Sequence, residues 1–250
     1  MTDLYHSTRQ SWEHIWDDAS VEAELETLRF ARSQEAIAAY LPYLPRDGVI
    51  LEAGCGLSAV VIFLRVQGYS VIGLDYAVNA LLKARAYAPS LALQAGDVHA
   101  LPYADGSLAA YLSFGVLEHF EHGMGPALAE AARVLRPGGV LVLTIPYPNV
   151  VHRLVRWRRR ALGRSALTDD EFYESAYTRH DLITAAEAAG FDVVETRPLS
   201  HAYTLWGLGG PFRATGYYRT TPLANGLGRL LRAVLPWSFN FMTLLIGHKR

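Results

Sequence analysis

The 250-residue chain has a single cysteine, Cys55. That excludes an internal disulfide and fits a reducing compartment. It also lacks any run of about 18 consecutive apolar residues, so no membrane-crossing helix is expected. Residues 1–18 are polar, without the apolar centre of a secretion signal, and a cytoplasmic location is the expectation. No internal repeat or low-complexity tract is present, which argues against a solenoid or a disordered linker. Acids are missing from two stretches, residues 149–168 and 196–250, which carry only basic charge. The first holds Arg153, Arg156, Arg158, Arg159, Arg160 and Arg164; the second holds seven Arg and Lys residues from Arg197 to Arg250. Residues 2–26 have the opposite bias, with seven acids against Arg9 alone. The net charge of −1 hides this polarity, which concerns partners more than fold.

What is present is a substantial core: 51% of residues are hydrophobic, enough for one domain near the upper size for a single core. Short apolar runs at 49–53, 70–74, 91–95, 108–114 and 140–145 read as buried strands. Helical segments alternate with them at 57–67, 77–87 and 127–135, the last ended by Arg136-Pro137-Gly138-Gly139. Strands alternating with helices imply a parallel sheet covered on both faces, an α/β fold whose loop-bearing strand ends share one edge. Thr178 and Asp181 read as a capping box for a helix closed by Gly190. Strands at 191–196 and 239–246 bring the total to seven. Residues 147–177 and 198–238 are long insertions of the kind that usually serve a function, here as caps over a substrate. Residues 1–48 form a helical segment ahead of the sheet, and Trp12 and Trp16, four apart, share one helix face. A lid over the loop edge and plain packing both satisfy that pattern.

The first strand ends in Glu52-Ala53-Gly54-Cys55-Gly56-Leu57-Ser58-Ala59. Glycines there let the backbone turn sharply and approach a ligand, but the pattern also fits dinucleotide binders. Asp75, 21 residues beyond Gly54, ends the second strand, where a carboxylate can accept both ribose hydroxyls. Asp97 and Val98 follow the third strand, placed to accept from an adenine amino group and donate to its ring. Either acid alone could instead cap a helix.

Together the stretches VILEAGCG, VIGLDYA, AGDVHALPYADGSL, SFGVLEHF and VLRPGGVLVLTIP resemble the class I S-adenosylmethionine-dependent methyltransferases, in their small-molecule, type 11-like branch. YTRHDLITAAEAAGF continues the likeness to Phe191. The resemblance implies a Rossmann-like seven-stranded sheet with an antiparallel last strand. It also implies S-adenosyl-L-methionine as cofactor, with contacts at Glu52, Gly54, Gly56, Asp75, Asp97 and Val98, and with Cys55, Tyr76 and Phe114 beside them. Ser58 stands where the family often has a third glycine. Gly115-Val116-Leu117-Glu118-His119 lacks the first carboxylate of a metal-binding Glu-x-x-Glu-His, so no metal is expected.

Methyl transfer needs positioning, exclusion of water and, for a hydroxyl nucleophile, a base. His119 is the first candidate by nearness to the strand edge; His122, His152, His180, His201, Tyr147 and Tyr177 are the others. A structural role for each is the bland alternative, and Cys55 reads as a small packing residue. The acceptor is expected to be a small or lipid-like molecule. No base-handling motif or recognisable module points to nucleic acid. Two other functions remain: an NAD-dependent oxidoreductase, and an inactive binding protein of the same fold. Residues 150–162 and 223–237 each draw as a helix with an apolar stripe and a basic side. Such helices either roof the pocket or rest on an anionic bilayer.

Overall fold

The computed structural model describes residues 3–161 and 175–250. Leu162, Arg164 and the rest of the middle of the first insertion lie outside the described residues. Five strands run parallel: β1 (Ile50–Ala53), β2 (Val71–Asp75), β3 (Leu93–Ala95), β4 (Leu108–Phe114) and β5 (Leu135–Pro146). β6 (Phe191–Leu199) takes the edge, and β7 (Met242–Lys249) runs antiparallel between β5 and β6. The order is β3-β2-β1-β4-β5-β7-β6, a Rossmann-like arrangement that reverses direction between β1 and β4. A crevice opens at such a switch point, outside the carboxyl ends of the strands.

β1 is buried along its whole length and β4 along all but its last residue, because helices cover both faces. On one face α6 (Gly125–Val134) and α8 (Arg179–Ala188) bury Leu128, Val134, Leu182 and Ala186 with Tyr111 and Leu143. On the other, α3 (Ala31–Tyr40), α4 (Ala59–Val66) and α5 (Val78–Tyr87) bury Ile37, Tyr40, Leu64 and Leu81 with Ile50 and Leu112. Thr178 and Asp181 form the expected capping box at the start of α8.

Several boundaries move. The first helix after β1 begins at Ala59, not Leu57, because Ser58 adopts a left-handed backbone (φ 63°) that a helix cannot contain. β7 is shifted to 242–249, since pairing with both β5 and β6 carries it through Gly247 and His248 to Lys249. β5 starts at Leu135 opposite Leu108, then loops out over the Pro137–Gly139 turn before regular pairing resumes at Val140.

Before the sheet lie α1 (Asp3–Asp18), α2 (Val21–Thr27) and α3. The later segments add α7 (Val150–Ala161), α9 (His201–Trp206) and α10 (Pro222–Val234). α10 packs closely on α9: a Cβ at Gly228 would sit 2.6 Å from the Ala202 nitrogen. Among the described residues no helix is long and apolar enough to cross a membrane.

Candidate functional site

A cavity of about 320 Å³ opens at the switch point. Its floor is the loop between β1 and α4. Gly54 has φ 82°, and a Cβ there would lie 2.4 Å from Val116. Gly56 has φ 48°, and a Cβ there would lie 2.5 Å from the Trp16 ring. Side chains at either position would close the cradle, so glycine is required twice. Ser58, in place of a third glycine, still takes the left-handed conformation, so the loop keeps its course at some strain.

Two buried acids hold this loop. Asp75 accepts the Gly56 N–H at 2.7 Å and the Ala77 N–H at 2.8 Å. Burial raises its pKa, and those amides together with that of Tyr76 pull it back. Glu52 accepts the Val61 N–H at 3.1 Å in the first turn of α4. Burial pushes its carboxyl up to about 8, against the Val61 bond and with the Asp75 charge adding to the rise. Cys55 is buried, and a Cβ at Gly73 would meet its sulfur at 2.8 Å. Burial pushes its thiol well up, so it fits the packing role and not that of a nucleophile.

Glu52, Gly54, Cys55, Gly56, Asp75, Tyr76, Phe114 and His119 all line the cavity. Asp97 and Val98 line an adjoining recess that shares Gly54, Asp75, Tyr76, Val116 and Phe120 with it. Asp97 caps no helix; it accepts the His99 N–H at 2.9 Å and closes a turn. Every residue expected to contact the cofactor, and His119 among the base candidates, therefore lines the cavity or its adjoining recess.

The base candidates separate sharply. His119 lines the cavity, its side chain 8% exposed, its ring edge-on to Trp12 with centroids 5.3 Å apart. His201 is buried elsewhere, against the Pro236 carbonyl at 2.8 Å. His122 is 77% exposed beside Glu121, and Tyr147 packs on Trp237. His152, His180 and Tyr177 are likewise absent from the wall.

Apart from Trp12 and Trp16, several residues in and behind the wall escaped the sequence reading. α1 lies over the loop, with Trp16 on Gly56 and Trp12 on His119. Asn79 and Lys83, one turn apart on α5, hold the end of α1: Asn79 donates to the Glu13 carbonyl, and Lys83 to the Trp16, Asp17 and Ala19 carbonyls. Glu24, Arg32 and Tyr40 form a wall from α2 and α3. The Tyr40 hydroxyl is buried without a hydrogen-bond partner. Of residues 198–238 only Leu199 and Ser200 reach the cavity, and neither α7 nor α10 does. The roof is thus built from the N-terminal helices, among the described residues, and not from the two amphipathic ones.

Comparison with known proteins agrees with this geometry. Residues 51–143 match the family described as a methyltransferase domain. The chain is 30% identical over 152 residues to a Mycolicibacterium smegmatis protein named as a probable S-adenosylmethionine-dependent methyltransferase, covering 61% of this chain and 55% of that one. It is 38% identical over 97 residues to the demethylmenaquinone methyltransferase of Beutenbergia cavernae, covering 37% of this chain and 38% of that one. The chain thus spans about half or less of the length of these curated relatives. Among solved structures, the geranyl diphosphate C-methyltransferase of Streptomyces coelicolor superposes with a TM-score of 0.62 at 12% identity, covering 93% of this chain and 85% of that one. At that identity the likeness is one of fold.

Proposed function

We propose that the chain is a class I S-adenosylmethionine-dependent methyltransferase that transfers a methyl group to a small or lipid-like acceptor in the cavity beside α3. The observation that carries this reading is the convergence of the two required glycines, Asp75 and the Asp97–Val98 recess on one site. The residues present fit the cofactor. The glycine cradle has the close backbone approach it needs, two buried carboxylates flank it, and the partnerless Tyr40 hydroxyl lies in the same wall. Gly54, Gly56, Asp75, Asp97 and Val98 would hold it. When bound, S-adenosylmethionine supplies a methyl group already activated by its sulfonium.

The protein's own task is then mostly placement. Holding two reactants in line contributes about 7–11 kcal/mol. Trp12 and Trp16 shield the loop edge from water, and the apolar side chains of Leu28, Ala36, Phe114 and Met242 favour an acceptor with an apolar body. For a hydroxyl nucleophile His119 takes the proton, a contribution of about 10²–10⁴-fold. The acceptors named for the similar proteins, demethylmenaquinone and geranyl diphosphate, support a lipid-like choice.

Calorimetry with S-adenosylhomocysteine and with NAD tests the cofactor assignment: the first is expected to bind and the second not. Binding of NAD alone would replace methyl transfer with redox chemistry. Turnover of methyl-labelled S-adenosylmethionine with a lipid extract tests the rest. His119→Asn should leave S-adenosylhomocysteine affinity in place while label incorporation falls by about 10²-fold or more.

A second reading concerns where the acceptor is met. On α10, Ala224, Gly228 and Leu231 face the protein, while Leu223, Leu227, Leu230 and Val234 form an exposed stripe. An apolar row left in solvent beside arginines fits an anionic membrane surface from which a lipid-like acceptor is drawn.

A further inference from the structure

The part of the cavity wall contributed by α3 holds a cation, Arg32, set against two rings. α3 runs along the cavity from Tyr40, which packs on Phe114 with ring centroids 5.3 Å apart, back to Arg32. Eight residues at a helical rise place Arg32 about 12 Å from Tyr40. The Arg32 guanidinium lies 4.6 Å from the Tyr203 ring centroid and 5.0 Å from that of Phe30. One of its five N–H donors is used, by the Tyr218 carbonyl at 2.7 Å. Among the described residues no carboxylate forms an ion pair with it, although Arg219 and Arg232 nearby pair with Glu26 and Glu35. Glu24, on the same wall, accepts the Tyr217 hydroxyl at 2.9 Å; burial raises its pKa, against the Tyr217 bond and the nearby Arg32 charge.

Stacking between rings fixes a guanidinium's plane and leaves its edge for a planar anion. Glu24 is the carboxylate whose charge Arg32 feels, yet it makes no direct ion pair with it. A half-buried charge so loosely compensated is costly unless something supplies a closer partner. We propose that Arg32 is the subsite for an anionic group, carboxylate or phosphate, carried by the methyl acceptor on an apolar body. This rests on the methyltransferase reading and specifies its acceptor. The subsite is assembled from α3 and from residues 203–218, both outside the matched segment 51–143.

The test is calorimetry on the full chain saturated with S-adenosylhomocysteine, using decanoate, decyl phosphate and decanol as probes. At least one anion should bind at least tenfold tighter than decanol, and the tighter of the two identifies the head group. Arg32→Gln should erase that preference while S-adenosylhomocysteine affinity stays within about threefold. Ser33→Glu, which sets a carboxylate beside Arg32 on the cavity wall, should erase it too and serves if the first variant does not fold. Equal binding of all three probes to the wild type, or a preference that survives either folded variant, overturns the subsite. If S-adenosylhomocysteine itself does not bind, the fault lies with the methyltransferase reading instead.

Discussion

At the scale of single residues, Asp75 and Glu52 do different things despite their shared burial. Asp75 has both oxygens on backbone amides and still has lone pairs for a ribose. Asp75→Ala should weaken S-adenosylhomocysteine binding by about 1.5–3 kcal/mol, the range for a charged hydrogen bond. It should also lower the melting temperature, because the Gly56 amide loses its acceptor. Unchanged affinity in a folded variant would remove Asp75 from the cofactor site. Glu52 is a protonation site. Its carboxyl titrates at about 8 when folded and near its ordinary 4.5 when unfolded. Between those values the folded state holds the extra proton, so stability falls as pH rises from about 4.5 to about 8. The slope is at most about 1.4 kcal/mol per pH unit. Glu52→Gln imitates the protonated form and should flatten the melting-temperature profile over pH 5–8. A variant profile parallel to wild type would show that Glu52 does not set it.

At the scale of elements, α1 is held from outside itself. Lys83 satisfies three carbonyls at its C-terminal end, where a cation also suits the helix dipole. We expect Lys83→Ala to raise amide exchange in residues 13–18 and to weaken S-adenosylhomocysteine binding mainly through faster release. Loss of melting temperature with normal affinity would make α1 a packing element and no lid. Trp12 and Trp16 could be placed on one helix face from spacing alone, and a lid over the loop edge is one reading of that spacing. The contact with Gly56 itself joins positions 40 apart and cannot be read locally. The same limit explains the rest of the site. The glycine loop, Asp75 and Asp97 were legible because each sits at the end of a short apolar strand, and strand ends can be read locally. Arg32 and Tyr40 were not, since what aims α3 at the cavity is contact with residues far away in sequence, the Arg32–Tyr218 bond being 186 positions long. The late start of α4 was likewise hidden, because nothing in a serine announces a left-handed backbone.

At the scale of the whole molecule, the uneven charge becomes a surface. The N–H of Val150 donates to the Ser238 carbonyl at 3.0 Å, which joins the start of α7 to the segment just beyond α10. Leu230 is 59% exposed and Val234 64% on α10, while Leu154 is 58% and Trp157 67% on α7. Arg153, Arg158 and Arg229 are exposed among them, whereas Arg232 is engaged by Glu35. Each basic residue close to an anionic surface contributes about 1 kcal/mol, so three would give attachment that is reversible and easily screened. The wild-type chain should therefore sediment with phosphatidylglycerol vesicles at about 50 mM salt, release at about 500 mM, and ignore phosphatidylcholine vesicles, since the Debye length shrinks severalfold over that range. Leu227→Glu with Leu230→Glu should abolish sedimentation while melting temperature and S-adenosylhomocysteine affinity stay as in wild type, because neither side chain reaches the core or the cavity. Binding that is indifferent to lipid charge would rule out the electrostatic contribution. Binding that survives the double substitution would move the contact away from α10.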